Sequence, residues 1–378
     1  MTSRVSRVAV FVSGFYQSTI YAASLIPAGE IVLHYPVFPR EVANSIRMRN
    51  VHLYPNVRLA PLDVSLPPLD PAEIIGGSYS VNSLFKFELD AGYLDGFDAI
   101  VTVELHTRYS AQISGLAERL GKPLIVLTEA DPSLSVLHIP PYSYYRRVVA
   151  GRARSFGSAT VRSDEYLLSA GIREHVRLYA NAVDVEEFRP SADREDGMIL
   201  FVGNLDRRKG FHTLVRALNA LSRTHGRKFT AAFVGSGQLS GLLASADFRF
   251  EHYDFLPEAE LVRLYSRAPI FVMPSEDVYR YGLKIWTEVF GLAALEAMAS
   301  GAAVVVSDSG NLPYAVRDER CVFPQGDHGA LAGILARLLD DPGLARACGE
   351  RNRKLAEEMF NKDVIRGNWH IALEMARR

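Results

Sequence analysis

Two glutamates in the last quarter of the chain have the spacing to hold the two ends of a charged ligand. Glu288 precedes a loop that ends at Gly291, and Glu296 falls within the helix predicted to follow, which Gly301 ends. At 1.5 Å per residue, the helical stretch between Gly291 and Glu296 rises ~7.5 Å. The two carboxylates therefore frame a helix N-terminus, whose free N–H groups and dipole suit a phosphate. Such a pair could hold hydroxyls of two sugars on either side of a diphosphate. The alternative is that the two glutamates are ordinary solvated or helix-capping residues.

A run of cations lies between the first strand and first helix predicted for the second half of the chain. Arg207, Arg208 and Lys209 occupy the loop that starts at Gly203. A cation near a helix N-terminus opposes the helix dipole, so its placement favours a bound anion. The loops that start at Gly235 and at Ser307 also follow predicted strands. We expect all three loops at one edge of a parallel sheet, where such folds bind ligands.

The length and composition indicate a two-domain globular protein. The chain has 378 residues, 48% of them hydrophobic and 22% charged, with a formal net charge of −1. A chain of this length usually folds into more than one domain, because a single hydrophobic core stops growing at a smaller size. The net charge gives no indication of a nucleic-acid partner. Cys321 and Cys348 belong to no ligand cluster in the sequence, so we expect buried thiols in a reducing compartment, with no metal site.

Strands and helices alternate in both halves of the chain. This pattern predicts an α/β protein with two doubly wound Rossmann-like domains, each built on a parallel sheet. The polar stretch 191–197 is the best linker. We therefore predict an N-terminal domain at 1–195, a C-terminal domain at 196–360, and a last helix at 361–378 that crosses back to the first domain. Gly14, at the end of the first strand, would let backbone approach a ligand.

The N-terminal apolar run is too short for a signal sequence, and no segment approaches the ~18 apolar residues of a spanning helix. We expect a cytoplasmic protein. The segment Tyr142–Arg154 combines tyrosines and arginines without an acid, which would suit an anionic membrane surface or a phosphate-bearing acceptor. A solvated helix face with buried rings is the alternative.

The central stretch resembles the retaining, metal-independent glycosyltransferases of GT-B architecture, of the family 4 type. The resemblance rests on Glu288-x7-Glu296 with Phe290-Gly291-Leu292 between them, and on the following Ala-Met-Ala-Ser-Gly. It is best from about Ala180 to Leu312. Lys209-Gly210, Gly235-Ser-Gly237, Pro274-Ser275 and Ser307-Asp-Ser-Gly-Asn-Leu-Pro follow in the family's order.

The resemblance implies a role for each matching residue. Lys209 would bind the donor diphosphate, Glu296 the ribose and Glu288 the transferred sugar. The backbone of Phe290, Gly291 and Leu292 would contact the sugar and phosphates. Loop residues would complete the donor site; these are Asn204, Arg208, Gly235 and Gly14.

The chain departs from the family pattern at two places. Asn204 stands where many members have a phosphate-binding arginine, which Arg207 or Arg208 would replace. Where many members have a histidine in the first domain, Ala130 lies between Glu129 and Asp131. We predict that these two acids contact the acceptor or the sugar.

The sequence thus predicts a retaining glycosyltransferase that moves a hexose-type sugar from a UDP- or GDP-sugar to an acceptor hydroxyl, without metal or cofactor. The first domain would bind a sugar or lipid-linked acceptor in polysaccharide or glycolipid synthesis, with peripheral membrane contact through Tyr142–Arg154. The alternatives are a glycoside hydrolase, which needs two carboxylates across one bond, and a sugar-binding protein without chemistry. Binding of a nucleoside diphosphate separates the first prediction from both alternatives.

Overall fold

A computed structural model describes residues 5–12, 22–37, 54–65, 84–90, 92–178, 182–225 and 229–378. The chain divides into two compact units. Unit 1 comprises residues 1–181, Tyr279–Trp286 and Asp363–Arg378, and unit 2 comprises Ala182–Val278 and Thr287–Lys362. Each unit is an α/β unit with a parallel sheet, so the predicted fold class is confirmed.

The described strands of unit 1 form a sheet in the order β4-β3-β2-β1-β5-β6-β7-β8, in which the short edge strand β4 is antiparallel to β3. Its central strands are buried on both faces, as a parallel sheet covered by helices requires. The strands are β1 (Arg7–Phe11), β2 (Glu30–Val37), β3 (Val57–Ser65), β4 (Lys86–Phe87), β5 (Ala99–Val103), β6 (Leu124–Thr128), β7 (Ser155–Ser158) and β8 (Val176–Arg177).

Within the described part of unit 1, three helices lie between strands of the sheet. They are α1 (Arg108–Arg119), α2 (Tyr142–Arg152) and α3 (Val161–Ser169). Thr107 and Thr160 cap α1 and α3 through their side-chain oxygens, which satisfies N–H groups that the helices leave open. Tyr109 packs in the core beneath the sheet, stacked on Phe85 with ring centroids 5.0 Å apart. These contacts fix the strand ends of unit 1.

The sheet of unit 2 is parallel, in the order β11-β10-β9-β12-β15-β16. Its strands are β9 (Met198–Val202), β10 (Thr230–Val234), β11 (Arg249–Tyr253), β12 (Ile270–Met273), β15 (Ala303–Ser307) and β16 (Val322–Phe323). The helices are α4 (Phe211–His225), α5 (Glu258–Arg267), α6 (Leu292–Ala299), α7 (Leu312–Val316), α8 (His328–Asp340) and α9 (Pro342–Leu355).

The division between the units lies at residues 181 and 182, earlier than the linker predicted at 195. Residues 182–190 belong to unit 2 because they are held there by its last helices. Arg353 donates hydrogen bonds of 2.8 Å to the carbonyls of Val185 and Phe188, and one of 2.7 Å to that of Ala299. The Phe188 ring also packs edge-on against Tyr265.

Two later segments return to unit 1. The C-terminal helix α10 (Lys362–Arg377) buries Trp369 there, and its Ala372 carbonyl accepts a hydrogen bond from Ser155 of β7. The other segment is a hairpin formed by β13 (Val278–Arg280) and β14 (Leu283–Trp286). Chain order alone would have assigned this hairpin to unit 2.

Candidate functional site

The strand order of unit 2 reverses between its two central strands. From β9, the chain runs outward through β10 and β11, then returns to β12 on the other side of β9. Loops that leave the carboxyl ends of β9 and β12 therefore diverge, which opens a crevice at this switch point. The loop after β9 carries Lys209, and the segment after β12 carries Ser275. The fold places the predicted phosphate-binding residues beside the crevice.

Lys209 and Glu288 form the centre of this site. The Lys209 Nζ atom lies 2.5 Å from Glu288 Oε2, and Ser275 Oγ donates a hydrogen bond of 2.7 Å to the same oxygen. Glu288 is buried at 6% exposure, whereas the Lys209 side chain is 23% exposed. A nearly buried carboxylate with a cation at the surface of the site suits a ligand that has both hydroxyl and phosphate groups.

A second network holds the backbone around Glu288. Asp277 Oδ1 accepts hydrogen bonds of 2.6 Å from both Thr287 Oγ1 and Ser309 Oγ. The Glu288 amide in turn donates to Ser309 Oγ, at 3.2 Å. At Gly310 the backbone has a φ of +51°, and a Cβ there would lie 2.1 Å from the Glu288 carbonyl oxygen. The loop after β15 can therefore reach Glu288 only with glycine at this position.

Two more glycines let loops of the site pack backbone to backbone. A Cβ on Gly210 would lie 1.7 Å from the Pro274 carbonyl oxygen, and one on Gly235 would lie 2.1 Å from that of Gly203. Both glycines also have positive φ, of +63° and +135°. Gly235, predicted as a donor contact, thus has a clear structural role in joining the loops after β9 and β10.

The helix N-terminus predicted between the two glutamates is present. Helix α6 begins at Leu292, and Gly291 adopts φ +73° before it, with a Cβ position only 2.6 Å from the Met273 sulfur. Phe290 is buried and packs edge-on against Phe360. The side chain of Phe290 therefore anchors the turn, which leaves its backbone and that of Gly291 for a ligand contact.

Glu296 lies one turn into α6, half-buried beside the hydroxyl of Tyr265. Burial raises the pKa of Glu296 to about 7, and the charges of Glu258 and Glu187 act in the same direction, while the nearby Tyr265 hydroxyl acts to lower the pKa. Its charge therefore changes near neutral pH.

The ribose role implied for Glu296 predicts a pH dependence for nucleotide binding. A carboxylate accepts hydrogen bonds from both ribose hydroxyls more strongly than a carboxylic acid does, so the bound state favours the ionised form. As the pH rises towards 7, we expect the Kd for uridine diphosphate to decrease by up to roughly tenfold per pH unit. Above pH 7 the Kd should be constant. Calorimetry from pH 5.5 to 8.5 tests this, with Glu296→Gln as the control that removes the dependence on this group.

The other predicted donor residues lie at the rim. Asn204, Arg207 and Arg208 are exposed. The Arg208 guanidinium lies 3.2 Å from Asp206 Oδ2, and its backbone carbonyl accepts a hydrogen bond from Glu276. Replacement of the missing arginine by Arg207 or Arg208 stays a prediction. Gly14 lies outside the described residues.

Unit 1 has its own switch point, between β1 and β5, and Glu104 follows β5 there. Its backbone has a φ of +75°, a conformation that costs a non-glycine residue roughly 1–2 kcal/mol. The Glu104 carboxylate accepts hydrogen bonds from Thr128 Oγ1 at 2.7 Å and from the Glu129 amide at 3.0 Å. Its Oε2 atom lies 3.4 Å from Nδ1 of the buried His106. The sequence interpretation missed Glu104, because only the fold reveals its position.

The two acids predicted to contact acceptor or sugar differ in their surroundings. Asp131 is buried at 2% exposure and is bound by Arg162, with Nη2 to Oδ1 at 3.0 Å. Burial acts to raise the pKa of Asp131, but bonds from Arg162 and Ser133 hold it below its ordinary value. Glu129 is half-buried, and burial raises the pKa of its carboxyl. Asp131 thus has an internal partner, and both acceptor contacts stay predictions.

Glu104 gives a testable effect on stability. Burial is the main cause that raises its pKa to about 8, with repulsion from Glu129 in addition. The folded state therefore keeps a proton on Glu104 that the unfolded chain releases near pH 4.5. The free energy of unfolding is highest below that pH with respect to this group, and it decreases as the pH rises towards 8. In the parent, we expect the free energy of unfolding, measured in urea, to decrease by about 1 kcal/mol per pH unit over this range. Glu104→Gln should remove this decrease. The exposed control Glu118→Gln should keep it; equal slopes in parent and Glu104→Gln would contradict the assignment.

Among the described residues, one group of side chains has the geometry to hold a metal ion: Asp318, Cys321 and Cys348. The two sulfurs are 3.9 Å apart, and Arg320 and Arg351 bind the Asp318 carboxylate at 2.8 and 3.0 Å. Two guanidinium groups on the carboxylate disfavour a cation there. In the described parts of the chain no helix has the length and apolar character needed to cross a membrane.

Comparison with known proteins supports the resemblance. Residues 183–355 match the family model described as glycosyl transferases group 1. An uncharacterized glycosyltransferase of Methanocaldococcus jannaschii is 32% identical over 206 residues, which cover 50% of each chain. A D-inositol 3-phosphate glycosyltransferase of Streptomyces avermitilis is 27% identical over 84% of this chain and 72% of its own length. Most of the other relatives are matched over about half of their length.

Solved structures are similar over nearly the whole chain. Anabaena HepE in complex with UDP-glucose has a TM-score of 0.69 at 14% identity, covering 97% of this chain and 99% of HepE. Sucrose-phosphate synthase from Thermosynechococcus elongatus has a TM-score of 0.64 at 19% identity, covering 96% of both chains. At these identities the likeness concerns the fold. The chain thus matches the glycosyl transferases group 1 model over residues 183–355 and has a fold of the GT-B type.

Proposed function

We propose that this protein is a retaining glycosyltransferase, which moves a hexose from a nucleoside diphosphate sugar to an acceptor hydroxyl. The observation that carries the proposal is the cluster of Lys209, Ser275 and Glu288 beside the N-terminus of α6, at the switch point of unit 2. In this proposal the diphosphate lies against Lys209 and the helix N-terminus, Glu288 holds the transferred sugar, and Glu296 holds the ribose. HepE, which has a similar fold, is described in complex with UDP-glucose, which supports a uridine nucleotide as the first donor to test.

The chemistry follows from where charge develops. When the bond between the anomeric carbon and the diphosphate breaks, negative charge grows on the leaving oxygen. Lys209 and the N–H groups at the start of α6 are fixed in place before the reaction, so they stabilise this charge without reorganisation. Positive charge grows on the sugar ring, where the Glu288 carboxylate would offset it. Departure of the diphosphate on the face that the acceptor approaches gives retention, with a phosphate oxygen taking the acceptor proton.

A glycoside hydrolase remains the second enzyme class to test. A hydrolase needs one carboxylic acid as proton donor and one carboxylate across the same bond. Glu288 Oε2 already accepts hydrogen bonds from Lys209 and Ser275, so this oxygen is engaged within the chain as an acceptor. A lysine at a helix N-terminus also has no role in that reaction. These contacts favour transfer from a phosphorylated donor.

We place the acceptor at the carboxyl edge of the unit 1 sheet, where Glu104 and Glu129 lie after β5 and β6. Carboxyl groups at this edge suit the hydroxyls of a sugar or of a lipid-linked sugar, as in polysaccharide or glycolipid synthesis. Peripheral membrane contact is part of the proposal.

We predict that the reaction needs no divalent metal ion. Lys209 and the start of α6 supply the positive charge that a metal would otherwise provide, and the sequence has no Asp-x-Asp motif. Release of uridine diphosphate from UDP-glucose should therefore proceed at an unchanged rate in excess chelator. Loss of all activity in chelator and its recovery with manganese would contradict the prediction. GDP-glucose in the same assay tests the nucleobase.

Retention is tested separately by proton NMR. The first product formed from an α-linked donor should have the α configuration, seen in the coupling constant of its anomeric proton. A β product formed first would show inversion and would overturn the proposed mechanism while leaving the donor site intact.

A further inference from the structure

The hairpin of β13 and β14 presents aromatic rings to solvent. Tyr279 is 60% exposed and Tyr281 is 79% exposed. The Lys284 ammonium lies 5.7 Å from the centre of the Tyr279 ring, and the Arg280 guanidinium lies 5.4 Å from that of Tyr281. Because side chains alternate along a strand, Trp286 shares the face of Lys284. The hairpin thus combines three aromatic rings and two cations without an acid.

The turn of this hairpin is under strain. Tyr281 has φ +50° and Gly282 has φ +77°, so both loop residues are left-handed, as in a type I′ turn. Asparagine followed by glycine is preferred there, and a tyrosine in this conformation is unfavourable because its Cβ crowds the following carbonyl oxygen. Its ring is exposed, so packing within the chain does not offset this cost. Strain of this kind often marks a functional position.

Neighbouring parts of unit 1 extend the surface. The Lys284 amide donates a hydrogen bond of 3.2 Å to Ser135 Oγ, which holds the hairpin against the short helical segment Ser135–His138. That segment leads to Ile139, which is 40% exposed, and to α2, where Tyr144 is 59% exposed. Residues 135–147 and 278–286 contain no Asp or Glu.

Three arginines of the segment Tyr142–Arg154 have contacts within unit 1. Arg146 lies over the buried Tyr166 ring at 5.6 Å, Arg152 pairs with Glu118 at 3.1 Å, and Arg154 donates to the Arg378 carbonyl at 3.4 Å. Of the residues in Tyr142–Arg154, the exposed Tyr144 and Arg147 lie in the first two turns of α2.

We propose that the hairpin 278–286, together with Ile139 and Tyr144, docks unit 1 on an anionic lipid surface. Tyrosine and tryptophan rings favour the boundary between headgroups and acyl chains, while lysine and arginine are attracted to anionic headgroups. The basic, acid-free composition of the surface selects an anionic partner. The proposal locates the membrane contact of the proposed function, and its test is independent of sugar transfer.

Trp286 provides a direct probe. The chain has two tryptophans, and Trp369 is buried at 2% exposure. Vesicles of 70% phosphatidylcholine and 30% phosphatidylglycerol should therefore shift the emission to the blue and protect it from acrylamide. Vesicles of phosphatidylcholine alone should not, and 0.5 M NaCl should weaken the effect because it screens exposed charges. Trp286→Phe should abolish the spectral change while the protein still sediments with the vesicles.

Tyr281→Asn separates a membrane role from a structural one. Asparagine suits the type I′ turn better than tyrosine, so we expect an unchanged or higher Tm. We also expect at least fivefold weaker sedimentation with the anionic vesicles, and at least twentyfold with Tyr279→Ser added. Phe255→Ser, which alters an 80% exposed ring in unit 2, is the matched control and should bind like the parent.

Two results would overturn the proposal. One is a parent protein that neither sediments with the anionic vesicles nor changes its emission. The other is Tyr279→Ser/Tyr281→Asn binding vesicles like the parent; if this variant also loses transfer to a soluble acceptor, the hairpin contacts the acceptor instead. Calorimetry with uridine diphosphate, which should be the same for parent and variant, shows separately whether the proposed donor site is correct.

Discussion

Lys209→Ala should abolish most sugar transfer and also weaken the binding of uridine diphosphate. The diphosphate is present in the donor, the transition state and the product, so loss of its cation affects all three. A hydrogen bond to a charged group contributes ~1.5–3 kcal/mol, which corresponds to roughly 10- to 150-fold in affinity. We expect a larger loss in kcat, because the charge on the leaving oxygen is greatest in the transition state. Calorimetry and the rate of donor cleavage measure the two effects.

Controls are needed because Lys209→Ala also removes the partner of a buried carboxylate. Lys209→Ala/Glu288→Gln removes both charges, and its Tm shows how much of the loss is a folding effect. Lys354→Ala changes an exposed lysine of unit 2, 73% exposed, and should leave binding and rate unchanged. Parent-like nucleotide binding by Lys209→Ala would contradict the proposed place of the diphosphate.

Glu288→Gln and Glu296→Gln should have different effects. Uridine diphosphate still contains the ribose, so Glu296→Gln should weaken its binding by roughly 10- to 150-fold at pH 8. The product has lost the transferred sugar, so Glu288→Gln should bind it nearly as the parent does. The loss for Glu288→Gln should instead appear in the rate of transfer, since positive charge develops on that sugar.

Glu260→Gln, at the first turn of α5, is the control for both variants and should have neither effect. If Glu288→Gln weakened the binding of uridine diphosphate as much as Glu296→Gln does, the two carboxylates would not hold different parts of the donor. The roles implied by the family resemblance would then be wrong for this chain.

The sequence alone predicted the fold class and the part of the site that is local in the chain. Helix periodicity and Gly291 located the N-terminus of α6, and the alternation of elements placed Lys209 at a strand end. It did not predict the hydrogen bonds of Ser275, Asp277 and Ser309, because these side chains meet only when loops from separate strands converge.

The hairpin turn and the conformation of Glu104 could also not be predicted from the sequence. The hairpin turn has Tyr281 where asparagine is the usual signal, so Gly282 alone is a weak local indication of a turn there. Glu104 directly follows an apolar strand, and its positive φ and its bond to Thr128 depend on the neighbouring strand β6. In both cases tertiary contacts determine a conformation that the residue types alone do not favour.

A crystal structure of the protein with uridine diphosphate tests the central claim most directly. We expect a phosphate oxygen within about 3.2 Å of Lys209 Nζ, a second at the N-terminus of α6, and both ribose hydroxyls on the Glu296 carboxylate. A nucleotide bound away from these groups, or with its diphosphate pointing out of the switch point of unit 2, would contradict it.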